Sequence, residues 1–101
     1  MDNLFWRPTR STRFKIRLED KKLAFSTFRM SSSAYASRKD VRQFVFERDG
    51  SQCANCLTKE NLQIDHIMSV YFCFHNGIFE YCNTLDNLQV LCGSCNSAKL
   101  P

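Results

Sequence analysis

The chain has 101 residues and a mass of 11.8 kDa, enough for one domain, and its 44% hydrophobic and 24% charged residues are those of a soluble globular protein. Three Gly and two Pro exclude collagen-like and low-complexity readings, and the longest apolar run, Val70 to Phe74, is far too short to cross a bilayer. The net charge of +4 hides an asymmetry: residues 1–48 carry twelve Lys/Arg against five Asp/Glu, and residues 49–101 carry two against five. A basic segment on a small protein points to a polyanion, nucleic acid before a membrane surface, with a solvated tail as the bland alternative.

Residues 1–36 form a basic, Ser/Arg-rich N-terminal extension holding Arg7, Arg10, Arg13, Lys15, Arg17, Lys21, Lys22 and Arg29. Phe14, Ile16 and Leu18 alternate with Lys15 and Arg17, and the alternation resumes at Leu23 and Phe25. This predicts two short strands, a β-hairpin, around the polar turn Glu19 to Lys22. Ser31-Ser32-Ser33 reads as a linker. An organelle transit peptide is the rival reading, weakened by Glu19 and Asp20.

From Ser37 a second unit begins. Val41, Phe44 and Val45 give one apolar stripe, predicting a helix over 38–48 with Ser37 as N-cap and Asp49-Gly50 as stop. Residues 61–67 read as a strand with Leu62, Ile64 and His66 on one face and Gln63, Asp65 and Ile67 on the other. Two aromatic runs flank Asn76-Gly77, which predicts a hairpin over 70–81. Leu88 to Leu91 is a short apolar stretch, and residues 93–100 suit a short terminal helix.

Cys53-x-x-Cys56 and Cys92-x-x-Cys95 each place two sulfurs on a tight turn. Four thiolates so spaced match a closed, structural zinc site. Disulfides would need an oxidising compartment, and nothing here signals secretion, so an intracellular protein is expected: cytoplasmic or nucleoid, or virus-encoded and acting in a host cytoplasm. Cys73 and Cys82 fall outside the pattern and read as buried free thiols. Between the two pairs lie Asp65 and His66, and Asn96 follows the last cysteine. Asp65 and Asn96 offer the oxygen atoms that hard divalent cations prefer. His66 offers a nitrogen that can accept a proton near neutral pH. A core histidine at His66 and a helix cap at Asn96 are the structural alternatives.

Arg48-Asp49-Gly50, Cys53-x-x-Cys56, Asp65-His66-Ile67, Asp86-Asn87-Leu88-Gln89, Leu91-Cys92-x-x-Cys95-Asn96 and Lys99 together resemble the HNH nucleases, also called the ββα-metal or His-Me finger family. The resemblance covers roughly residues 38–100. It implies an α+β fold: a small ββα-metal domain over 37–101, stapled by a four-cysteine zinc site. It implies a divalent-metal-dependent DNA endonuclease, with catalytic roles for His66, Asp65, Asn87 and Asn96. His66 stands at the general base. Asp65 and Asn96 stand at the ligands of a catalytic Mg2+ or other divalent cation. Asn87 stands at the residue bracing the loop around the histidine, and Cys53, Cys56, Cys92 and Cys95 stand at the structural zinc. Lys99, with Arg7, Arg10, Arg13 and Arg17, would hold phosphates of double-stranded DNA, without a membrane partner. Nicking and double-strand cutting, monomer and dimer, and the biological role stay open, as does a zinc-dependent nucleic-acid-binding module without catalysis. Two departures from the family pattern are visible. After Asp65-His66-Ile67 many members carry a Pro and a Gly-rich loop, where Met68 to Tyr81 is aromatic here, and the helix after Cys95 is short.

Overall fold

The computed structural model describes residues 18–99. Arg7, Arg10, Arg13, Arg17 and the first strand expected at Phe14 to Leu18 lie outside the described residues, apart from Leu18 itself. The elements run α1 (Leu18–Ser37), α2 (Lys39–Asp49), β1 (Leu62–His66), α3 (Val70–His75), α4 (Phe79–Cys82), a 3-10 turn (Leu85–Asn87), β2 (Leu88–Cys92) and α5 (Gly93–Ala98). The architecture is α+β, with the order β1, β2, α5 forming a ββα unit. Among the described residues no helix is long and apolar enough to cross a membrane.

The sheet is a two-stranded antiparallel pair, with Leu62 opposite Cys92, Ile64 opposite Val90, Asp65 opposite Gln89 and His66 opposite Leu88. Alternation sends Leu62 and Ile64 toward α2, where Val41, Val45, Leu88 and Val90 are buried together. Val41 and Val45 are one helical turn apart, so α2 meets the sheet along a narrow stripe. Phe44, expected in that stripe, instead stays 47% exposed, and Phe46 packs inward. The expected cap also moves by one residue: Arg38, in extended conformation, precedes α2, and no side chain caps it. The stop is as expected, because Gly50 adopts φ +78 and donates its N–H to Phe46 O. Arg48 then ties α2 to the start of β2, donating to Leu85 O at 2.8 Å and Leu88 O at 2.6 Å.

Residues 18–37 are one helix, not a hairpin followed by a linker. The local two-residue alternation ends at Phe25, and beyond it Phe28 and Ser32 recur one turn apart. Both are buried, Ser32 completely. Ser31-Ser32-Ser33 is therefore helix interior, with Ser32 Oγ 3.9 Å from Cys82 Sγ. Phe28 lies beside Cys73 and Cys82, and its ring meets Phe74 and Phe79 at 5.7 and 5.6 Å. Tertiary burial of this face against the aromatic segment outweighs the weak strand pattern.

The hairpin expected at Asn76-Gly77 is also absent. Ser69 caps α3, accepting from Phe72 N at 3.0 Å. Gly77 takes φ +70. Ile78 N then bonds to Cys73 O at 2.8 Å and Gly77 N to Phe74 O at 3.3 Å. That paired pattern is a Schellman helix end, which uses glycine for the same reason a tight hairpin does. Cys73 and Cys82 are free and fully buried, as expected. Burial, followed by the neighbouring Cys73, pushes the Cys82 thiol up to about 12.

Candidate metal centre and strand-end site

The four-cysteine cluster forms where two turns meet. One turn follows α2 and carries Cys53 and Cys56. The other joins β2 to α5 and carries Cys92 and Cys95. Their sulfurs all lie within 4.8 Å of one another. Cys56 Sγ and Cys92 Sγ are 3.7 Å apart. A tetrahedron with zinc–sulfur bonds of about 2.3 Å has an edge of about 3.8 Å, so this spacing fits zinc. Backbone N–H groups of Asn55 and Cys56 point at Cys53 Sγ, and that of Cys95 at Cys92 Sγ, each at 3.4 Å. Asn55 Nδ2 adds a contact to Cys95 Sγ at 3.3 Å. Such donors stabilise thiolates and fix their direction. Burial opposes ionisation of Cys53, but N–H donors led by that of Cys56 outweigh it and bring the thiol down to about 6.

Gly93, at the start of α5, lies close under the Asn61 side chain. A Cβ there would stand 2.3 Å from Asn61 Nδ2, while the Gly93 N–H donates to Asn61 O at 2.9 Å. This close approach seats α5 against β1, on the face opposite the valine core.

Asp65 and His66 point to opposite faces at the end of β1, as strand alternation demands. Asp65 faces α5. Its Oδ2 accepts from Lys99 Nζ at 2.7 Å and from Gln89 Nε2 at 3.0 Å. Lys99 Nζ also donates to the His66 carbonyl. Asn96 Nδ2 donates to Gln63 Oε1 at 2.8 Å, two residues along the same strand face. Asp65 and Asn96 thus stand on facing elements, yet each is engaged by a different neighbour.

His66 is half-buried, and its Nε2 lies 3.4 Å from Asn83 Oδ1. Burial pushes the imidazole below its usual range, while Asn83 and Asp65 pull in the opposite direction. The loop behind it is clamped by Asn87, which is fully buried. Asn87 Oδ1 accepts from Met68 N at 2.7 Å, and Nδ2 donates to Met68 O at 3.1 Å and Cys82 O at 3.0 Å. Its backbone O accepts from Ile67 N at 2.7 Å. Asn87 thereby fixes the two residues after His66 and touches no open surface.

Three partners escaped the sequence reading: Asn83 on His66, Gln89 on Asp65 and Gln63 on Asn96. Gln89 follows from the strand register once β1 and β2 are paired. Asn83 sits after an aromatic segment whose fold the sequence misdirects, and it carried no periodic signal. An open groove of roughly 590 Å³ borders this site at Gln89 and Lys99, with Ile67, Leu91 and Ala98 among its lining residues. His75 is exposed at the end of α3, with its ring 4.2 Å from that of Tyr71.

Compared with known proteins, residues 53–100 match the family model described as HNH endonuclease. No curated protein and no solved structure matches the chain.

Proposed function

We propose that this chain, whose residues 53–100 match the HNH endonuclease family model, hydrolyses phosphodiester bonds of DNA with the aid of a divalent cation. The observation that carries the reading is one strand end that offers, on opposite faces, a half-buried imidazole held near Asn83 and a carboxylate. The donor set supports the metal. Asp65 and Asn96 supply hard oxygen atoms of the kind that hold Mg2+, whereas the four sulfurs suit zinc. A divalent cation held there would neutralise charge that develops on the scissile phosphate.

The protein's own groups do the rest. His66 takes a proton from the water that attacks phosphorus in line. The P–O3′ bond breaks, the leaving oxygen is protonated from solvent, and the products carry 5′-phosphate and 3′-hydroxyl ends. Asn83 holds one orientation of the imidazole. Asn87 acts as a positioning residue by fixing the backbone of Ile67 and Met68. The zinc corner keeps α5 against β1 and takes no part in chemistry, since four sulfurs leave no open coordination position. Arg7, Arg10, Arg13 and Arg17 add a sequence-independent grip on phosphates. Supercoiled plasmid should be nicked when Mg2+ or Mn2+ is added to zinc-loaded protein, and left intact without either ion.

A zinc-stapled nucleic-acid-binding module without catalysis is the second reading. It draws on the engagement of Asp65 by Lys99 and Gln89. DNA binding with no nicking under any divalent ion would favour it.

A further inference from the structure

Residues 49–101 hold two cationic side chains, Lys59 and Lys99. Lys59 is exposed. Lys99 is not placed as a phosphate-gripping lysine would be, with its head in water. The backbone leaves α5 at Lys99 in extended conformation, and the side chain folds back across the end of β1. Its ammonium ion-pairs with Asp65 Oδ2 at 2.7 Å, and the two side chains are only 25% and 11% exposed. The same ammonium donates to the His66 carbonyl. Gln89 reaches the same carboxylate oxygen, so Oδ2 is held by two donors.

We infer that Lys99 is the resident counter-ion of Asp65, that a divalent cation must displace it, and that it thereby weakens and gates cation binding. The inference rests on the reading of Asp65 as a metal ligand. A divalent ion at Asp65 and an ammonium in contact with the same oxygen repel each other in a partly buried site, where water screens poorly. One cation leaves as the other arrives: Asp65 with Lys99 is neutral, whereas Asp65 with a divalent ion carries one net positive charge that an incoming phosphate would offset. Lys99 borders the groove beside Gln89, so the released ammonium has an open face on which to meet a phosphate. Its role as a DNA contact is then conditional on the cation, unlike that of a lysine already facing solvent.

The test is Mn2+ binding to the zinc-loaded full chain, followed by the paramagnetic signal of free Mn2+. The variants are Lys99→Met, Lys99→Arg and Asp65→Asn. Lys99→Met should bind Mn2+ about tenfold more tightly than wild type or better, because a repelling charge is gone. Lys99→Arg should stay near wild type. A variant damaged only in structure would bind more weakly, so tighter binding separates the two explanations. Should Lys99→Met lose its zinc, Lys99→Gln makes the same comparison while keeping a donor for Asp65. Unchanged or weaker Mn2+ binding in a Lys99→Met or Lys99→Gln variant of normal zinc content and melting temperature would overturn the inference. Asp65→Asn should weaken Mn2+ binding sharply. If it does not, Asp65 is no ligand, and the metal reading falls together with the inference. If Asp65→Asn weakens binding but the Lys99 variants do not tighten it, only the counter-ion role is lost.

Discussion

The four-cysteine corner and the end of β1 share one short helix. Cys92 and Cys95 stand at the start of α5, and Lys99, paired with Asp65, at its end. The two regions are nonetheless assembled in different ways. The corner takes its ligands in pairs from two turns, and each pair is aimed by N–H groups within three residues. The strand end collects Asp65 and His66 from β1, Gln89 from β2, Asn83 from the loop after α4, Asn96 from α5 and Lys99 from just past its end. A locally built site depends on spacing alone. A site built from several elements depends on register and on everything that holds those elements apart. On the function proposed above, the first would govern whether the domain folds, and the second what it does once folded.

Breaking the corner should have the largest effect. Structural zinc in small domains contributes apparent binding free energies of roughly 10–16 kcal/mol, which act as folding free energy. Cys53→Ser should abolish stoichiometric zinc binding and the cooperative melt together. Elemental analysis and circular dichroism on reduced protein would check this. A folded Cys53→Ser variant would show that the core alone suffices.

The frame around the strand end should break less completely. Asn87→Ala removes partners from Met68 N, Met68 O and Cys82 O inside the protein, and should cost about 2–4 kcal/mol. Phe28→Ala should cost about 3 kcal/mol by emptying the contact between α1 and the Cys73–Cys82 cluster. Denaturant melts would measure both. The zinc content should stay normal in each, because neither residue touches the corner. Loss of zinc from either variant would mean that the two regions are not separable.

The smallest expected effect concerns the basic end. Deleting residues 1–17 should leave the folded core intact, because the core contacts described above are made by residues from Phe25 onward. If Arg7, Arg10, Arg13 and Arg17 each hold a phosphate, the slope of log affinity against log salt should flatten by about 3–4. An unchanged slope would place the DNA grip elsewhere.

The same contrast explains what could be read from the amino-acid order. The clustering of the four cysteines, β1 and its two faces, the Gly50 stop, and the helix after β2 were legible, because each rests on spacing or alternation within a few residues. Residues 18–37 were misread because a short alternation at Leu23 and Phe25 looks like strand until a distant aromatic surface selects the helical face that carries Phe28 and Ser32. Asn76-Gly77 was misread because a left-handed glycine serves a hairpin and a Schellman end equally well. What decides between them is whether Val70 to His75 finds a partner helix. Asn83 was missed for the same reason, since it meets His66 only once α3 and α4 have folded as helices. Lys99 was visible as a motif residue, but its engagement with Asp65 depends on how α5 ends.

The claim that the strand end performs chemistry while the corner only holds it in place is tested most directly by His66→Ala. The variant should keep one zinc per chain, a wild-type melt and wild-type DNA affinity, while Mg2+-dependent plasmid nicking falls by about 10²–10⁴-fold, the usual contribution of a general base. Nicking at close to the wild-type rate, in protein of unchanged zinc content, would contradict the account.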